Sequence, residues 1–291
     1  VTDLLAPDAQ LERLWTGAIW SEGPVWLPGA GAVRWSDIPN NRILQYDRAS
    51  GETVVYDDNP EYTNGRTLDL AGQVVQCSHG RRRVERDVDG VVTSIIDTVD
   101  GHRFNSPNDV VVASDGAIWF TDPPYGIMPA EVEGHAGEQE YGGCHVFRYD
   151  ESTGELRAVI TELVHPNGLA FSPDESVLYV ADTGPVEEGA EHGIHRYDVV
   201  DGTCRNGRVF ADPGTSDGFR VDVEGRIWTS SETGVVVYAP DGVELLRIPV
   251  PERVSNVAFG GPDGDELYIT ATTSLYRILT ATTAAPRPEP L

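Results

Sequence analysis

Six polar-headed segments recur along this chain, and their spacing limits the possible folds more than any other feature. They are Glu22-Gly23-Pro24-Val25-Trp26, Asn64-Gly65-Arg66-Thr67-Leu68, Asn108-Asp109-Val110-Val111-Val112, Asn167-Gly168-Leu169-Ala170-Phe171, Asp217-Gly218-Phe219-Arg220-Val221 and the looser Asn256-Val257-Ala258-Phe259. Successive openings lie 42, 44, 59, 50 and 39 residues apart. A turn follows several of them, such as Asp115-Gly116, Glu224-Gly225 or Asp263-Gly264, and then a second β-rich run such as Gly116–Asp122, Val177–Asp182 or Glu266–Thr270. A third run follows in some repeats: Gln45-Tyr46-Asp47, Arg148-Tyr149-Asp150 and Arg196-Tyr197-Asp198. Short runs of Val, Ile, Tyr, Trp and Phe bounded by turn residues read as strands. No segment keeps a 3.6-residue apolar period over three turns; the best helix candidate is Ala9–Leu14.

Six units of several antiparallel strands each predict an all-β, six-bladed propeller with a central channel. The blades take up about residues 15–280, so residues 1–291 are expected to form a single domain. The first strands should pair with the last blade, because closing the ring removes exposed sheet edges. The Pro-rich tail 284–291 is expected to fray. The long interval contains Pro123–Gly143, read as a loop inserted on one face.

Rotation about the axis brings equivalent repeat positions together, so the six openings should converge at the channel mouth. Their side chains are Glu22, Asn64, Asn108, Asn167, Asp217 and Asn256: all offer oxygen, none sulfur or imidazole. Such a set suits a hard divalent cation, calcium first, and the two carboxylates balance its charge. Asn-Gly and Asp-Gly are also ordinary turn chemistry. Glu22 before Gly23-Pro24 has no such explanation.

Charge and composition remove other classes. With 21 basic and 47 acidic residues the net charge is −26, which repels phosphate backbones and argues against a nucleic-acid partner. No stretch approaches the roughly 18 apolar residues of a membrane span. Three widely spaced cysteines, Cys77, Cys144 and Cys204, fit neither a disulfide framework nor a zinc site, and read as partly buried thiols; one disulfide with a free thiol is the alternative. No Gly-x-Ser-x-Gly elbow occurs, which weakens a serine-esterase reading. The segment from Val1 shows no apolar leader, and localisation stays open between export and the cytoplasm.

The motifs Ser21–Trp26, Ser36-Asp37-Ile38, Arg103–Asp109, Phe120–Gly126, Pro166–Asp174 and Ser216–Phe219, in order over nearly the whole chain, resemble the SMP-30/gluconolactonase family, most closely its bacterial gluconolactonases. The resemblance implies a six-bladed propeller with one divalent cation, usually calcium, with magnesium, manganese or zinc as alternatives. It implies hydrolysis of sugar lactones such as glucono-1,5-lactone to gluconate. It places the metal ligands on Glu22, Asn167 and Asp217, with Asn108 as a fourth ligand or substrate contact, and makes Asp217 the general base. Asn108 is also expected to stabilise the oxyanion. The animal branch has an arginine where Ser106 stands here, so hydroxyl recognition is expected to differ. His79, Asp122 and Tyr125 are further substrate-binding candidates, each with a structural alternative; Trp20 and Phe219 are candidate apolar walls. Arg81-Arg82-Arg83 reads as a salt-bridged turn. Competing functions on such a scaffold are hydrolysis of another ester or a phosphotriester, and a non-catalytic binding propeller pinned by calcium.

Overall fold

The structure, a computed structural model, describes residues 4–129 and 133–286. Each polar opening leads into the innermost strand of a four-stranded antiparallel meander. The innermost strands are Ser21–Leu27, Thr63–Leu68, Val110–Val112, Pro166–Phe171, Phe219–Val221 and Val254–Gly260. The runs read as second and third strands fall in those places, for example Ile118–Thr121 and Val146–Asp150 in blade 3. The six sheets make a six-bladed β-propeller.

The N-terminus closes the ring. Glu12–Thr16 pairs with Ser274–Leu279 as the outer strand of blade 6, and Leu5 bridges Thr280. This corrects the helix expected at Ala9–Leu14, where Pro7-Asp8 make a turn and a strand begins at Glu12. A free edge on blade 6 recruits this segment, and its six residues are too few to nucleate a helix alone. Among the described residues only two 3₁₀ turns interrupt the β-structure, Tyr125–Ile127 and Val186–Glu188. No described helix is long and apolar enough to cross a membrane.

The core is divided into wedges between neighbouring blades. Phe104, Phe120 and Phe147 pack between blades 2 and 3, Trp119 and Leu169 between 3 and 4, and Trp228 and Leu267 between 5 and 6. Trp35 and Tyr268 seal blade 1 against blade 6. Phe219, a candidate wall of the mouth, lies instead in the wedge between blades 4 and 5. All three cysteines are free; Cys77 and Cys144 are buried and Cys204 is half-buried.

At the other terminus, Ala284 bridges Asp222 and the Ala285 amide donates to the Val221 carbonyl at 3.0 Å. The rest of the expected frayed tail, residues 287–291, lies outside the described residues. The inserted loop leaves blade 3 after its second strand. Arg82 holds it by donating to Phe104 O and Glu138 O and by pairing with Glu140, while Arg81 and Arg83 pair with Glu85.

Candidate active site at the channel mouth

The glycines after four of the openings explain how the six polar residues meet. Gly23, Gly65, Gly168 and Gly218 each lie against the opening of the next blade. A Cβ on Gly168 would sit 2.2 Å from Asp217 O, on Gly23 2.3 Å from Asn64 O, and on Gly218 2.0 Å from Asn256 Cγ. The close approach is hydrogen-bonded: Gly65 N donates to Asn108 O at 2.8 Å and Gly168 N to Asp217 O at 3.0 Å. Asn-Gly is therefore packing chemistry at the axis here, not turn chemistry. Strand register slips beside four openings, between Glu22 and Val25, Thr63 and Arg66, Pro166 and Leu169, and Val254 and Asn256. Such bulges re-aim a side chain at a sheet end.

Five of the six openings line one cavity of about 320 Å³: Glu22, Asn64, Asn108, Asn167 and Asp217. Trp20, Tyr125, Glu133, Thr183 and Arg253 make its rim. Asn256 stands behind, its amide donating to Glu22 Oε2 at 3.0 Å while its Oδ1 accepts Val257 N at 2.8 Å. Glu22 Oε2 also accepts Gly23 N. Asp217 is less committed, with Asn167 as its side-chain partner.

Burial, then Asp217 and Asp109, raise the Glu22 carboxyl far above its usual range. Burial likewise pushes Asp217 up to about 7, against the pull of Arg253. Two desolvated carboxylates facing one cavity, with a half-exposed arginine as the single cationic side chain at its wall, want a further positive charge. Imidazole and thiol are absent from the lining, and no described cluster of three His, Cys, Asp or Glu offers a site for a softer metal. Two carboxylates and three carboxamides are donors that fit calcium.

His79 is fully buried beneath this floor. Its Nδ1 lies 3.0 Å from Glu133 O and its Nε2 lies 3.3 Å from Asn64 Nδ2 and 3.4 Å from Asn108 Nδ2. Burial lowers its pKa to about 4, so the ring is neutral: Nδ1 donates and Nε2 accepts. Accepting from both amide nitrogens leaves Oδ1 of Asn64 and of Asn108 uncommitted. His79 does not line the cavity; it touches the side chains of Asn64 and Asn108, which do.

Residues 20–273 match the family described as SMP-30/Gluconolactonase/LRE-like region. The chain belongs to this family. Among its relatives, a gluconolactonase of Zymomonas mobilis is 30% identical, covering 90% of this chain and 79% of the relative. A pentonolactonase of Haloferax volcanii is 34% identical over 86% of this chain and 80% of its own. The solved structure of a Xanthomonas campestris gluconolactonase superposes with a TM-score of 0.89 at 39% identity, over 96% of this chain and 91% of that one. A calcium-binding regucalcin structure from Agrobacterium tumefaciens shares the fold at 22% identity, with a TM-score of 0.76, over 97% of each chain.

The expected ligand set of this family is thus gathered in one place, and Tyr125 joins it at the rim, its hydroxyl 2.6 Å from Thr183 Oγ1. Asp122 does not line the cavity. Both of its oxygens are taken, by Asn105 N and Ser106 N at 2.8 Å and by Tyr141 Oη at 2.5 Å. It is one of three equivalent braces. Asp37 accepts Ile19 N and Trp20 N, and Asp182 accepts Val164 N and His165 N. Each carboxylate, at the end of a second strand, holds the two residues that lie three and two positions before an opening, and so aims Glu22, Asn108 and Asn167.

Ser106 is buried as well, its hydroxyl donating to Pro123 O at 2.6 Å. The arginine of this mouth comes instead from blade 6: Arg253 lies 5.5 Å from the Trp20 ring and 3.3 Å from Glu232. Sequence reading missed Arg253, Thr183 and Glu133. The available signal for Arg253 was its place three residues before the Asn256 opening, in the segment that forms the rim in other blades.

Proposed function

We propose that the protein is a metal-dependent sugar lactonase that opens lactones such as glucono-1,5-lactone to the aldonic acid at the cavity of Glu22, Asn108, Asn167 and Asp217. Lactone hydrolysis follows from the family membership and its named relatives. The observation that carries the site is the meeting of a buried carboxylate, Glu22, a half-buried one, Asp217, and three carboxamides from five blades.

Glu22, Asn167, Asp217 and the Oδ1 of Asn108 would hold the cation. Bound there, it would polarise the lactone carbonyl and acidify a water. Asp217 is the better base, because Glu22 is tied down by Gly23 and Asn256 while Asp217 is not. The water oxygen attacks the carbonyl carbon as Asp217 takes its proton. Asn108 has a second amide hydrogen beyond the one given to His79, and this one donates to the oxyanion. Collapse breaks the ring C–O bond, and Asp217 returns the proton to the departing oxygen. The new carboxylic acid then ionises. Arg253, stacked near Trp20, binds substrate hydroxyls and draws the anionic product away from Glu22 and Asp217.

Chelation tests the metal. Glucono-1,5-lactone turnover, followed with a pH indicator, should fall to the uncatalysed rate in excess EDTA and return with added calcium. Undiminished turnover by metal-stripped protein would refute the assignment. For Arg253→Gln, KM should rise about tenfold with kcat less affected, the scale of one charged hydrogen bond. A change confined to kcat would place Arg253 in the chemical step instead.

A further inference from the structure

The other end of the axis holds a second cavity, of about 360 Å³, that the lactonase reading does not use. Its wall repeats around the ring as the mouth does. Trp26, Leu68, Val112, Phe171 and Val221 stand four residues past their openings, and Phe259 three past its own. The polar ring at one end of the inner strands thus becomes an apolar ring at the other.

Arginine sits at the floor. Arg220 lines the cavity with its side chain about one-fifth exposed. Its Nη1 donates to Phe219 O at 2.8 Å and lies 3.8 Å from Asp109 Oδ2. Neither Nε nor Nη2 has a hydrogen-bond partner among the described residues. Deeper in, Arg66 also borders the cavity and is fully buried, with only neutral partners: Nη1 to Gly23 O and Nη2 to Ser36 Oγ, each at 2.6 Å. Arg66 Nε and Asp109 Oδ2 make no hydrogen bond. Arg220 thus has one long ion pair, to Asp109, and Arg66 makes no ion pair with a described carboxylate. Glu175, at the rim, is occupied by the amide and hydroxyl of Ser114.

We propose that this cavity is a binding site for an amphipathic monoanion, a carboxylate on an apolar body, with the carboxylate on the Nε/Nη2 edge of Arg220. That edge matches a carboxylate with two parallel hydrogen bonds. A neutral apolar molecule would bury the edge unpaired. A sugar acid or inorganic anion would set hydroxyls or bare charge against Trp26, Leu68 and Phe171. The volume is within the range of small-molecule sites. The proposal is independent of the lactonase reading, since its residues lie at the opposite end of the inner strands.

Octanoate and 1-octanol are the probes, titrated by calorimetry into the full chain. Octanoate should bind at one site, at least tenfold tighter than octanol. Arg220→Gln should bring octanoate to the affinity of octanol. Ala284→Trp, on an exposed rim residue that lines the cavity, should abolish binding of both and leave lactone turnover unchanged; it serves if Arg220→Gln fails to fold. Absence of saturable binding, equal affinity for the two probes, or unaltered octanoate affinity in either variant would overturn the proposal. So would octanoate acting as a competitive inhibitor of the lactone, which would put it at the mouth. Binding only in a variant lacking residues 287–291 would assign the cavity to the chain's own tail, and would likewise overturn it.

Discussion

Asp217→Asn is expected to stay impaired at saturating calcium, with kcat down roughly 10²–10⁴-fold, the usual scale for loss of a general base. The substitution keeps the shape and one ligating oxygen, and it removes the charge and the proton acceptor. Glu22→Gln separates the two roles. It deletes the same charge from the same cavity, yet its amide oxygen still accepts from Gly23 N and Asn256 Nδ2, the bonds that hold Glu22. Its defect should therefore lie in cation affinity and recede as calcium is raised. The measurement is kcat against calcium concentration for both variants, with calorimetric cation affinity alongside. Full rescue of Asp217→Asn would remove the base role. His79 would not inherit it, because each ring nitrogen already has a partner and the ring is sealed from the cavity. Near-normal turnover of Asp217→Asn without added calcium would defeat the ligand role too.

The parts of this site that were legible in the sequence are those that repeat. Six openings at 39 to 59 residue intervals define blades, and rotation about one axis turns spacing into convergence. What failed to repeat was not legible. Arg253 reaches the mouth from a loop whose counterparts in other blades carry Asn105 or Val164 at the same place, so its position is repeated but its residue type is not. Asp122 looked like a site acid because it opens the inserted loop. Asp37 and Asp182 occupy the same strand end, and the trio as a repeat signals a brace for the backbone. Asp109 stands where four other blades have glycine, which is a visible exception in the sequence. Its meaning needs the interior: it takes up space beside Gly65 and faces Arg220 on the axis. The Ala9–Leu14 segment was misread for a different reason. Its strand exists only because blade 6, built 260 residues later, offers an edge to pair with.

The second large effect concerns Gly168, where fold and site depend on the same atoms. Gly168→Ala puts a methyl 2.2 Å from the Asp217 carbonyl oxygen and 2.8 Å from Gly218 Cα, both backbone. No rotamer change relieves such a clash, so the inner strands of blades 4 and 5 must separate and lose the Gly168 N to Asp217 O bond. Overpacking against a rigid neighbour costs about 3 kcal/mol, at the upper end of the common range. That predicts a Tm lower by roughly 5 °C for a chain of this size. Gly29→Ala is the control, since nothing lies within 4 Å of the added methyl and the backbone there is not left-handed. It should be neutral, or stabilise by a few tenths of a kcal/mol through the unfolded chain. Because Asn167 and Asp217 flank the clash, the same separation widens the cavity, and cation affinity should fall together with Tm. Were Asn167-Gly168 merely turn chemistry, glycine would be needed for a positive φ, and Gly168 has none. A Gly168→Ala protein with parental Tm and parental calcium affinity would show that the blades part at no cost, and the axial close packing would then not be what aligns the openings.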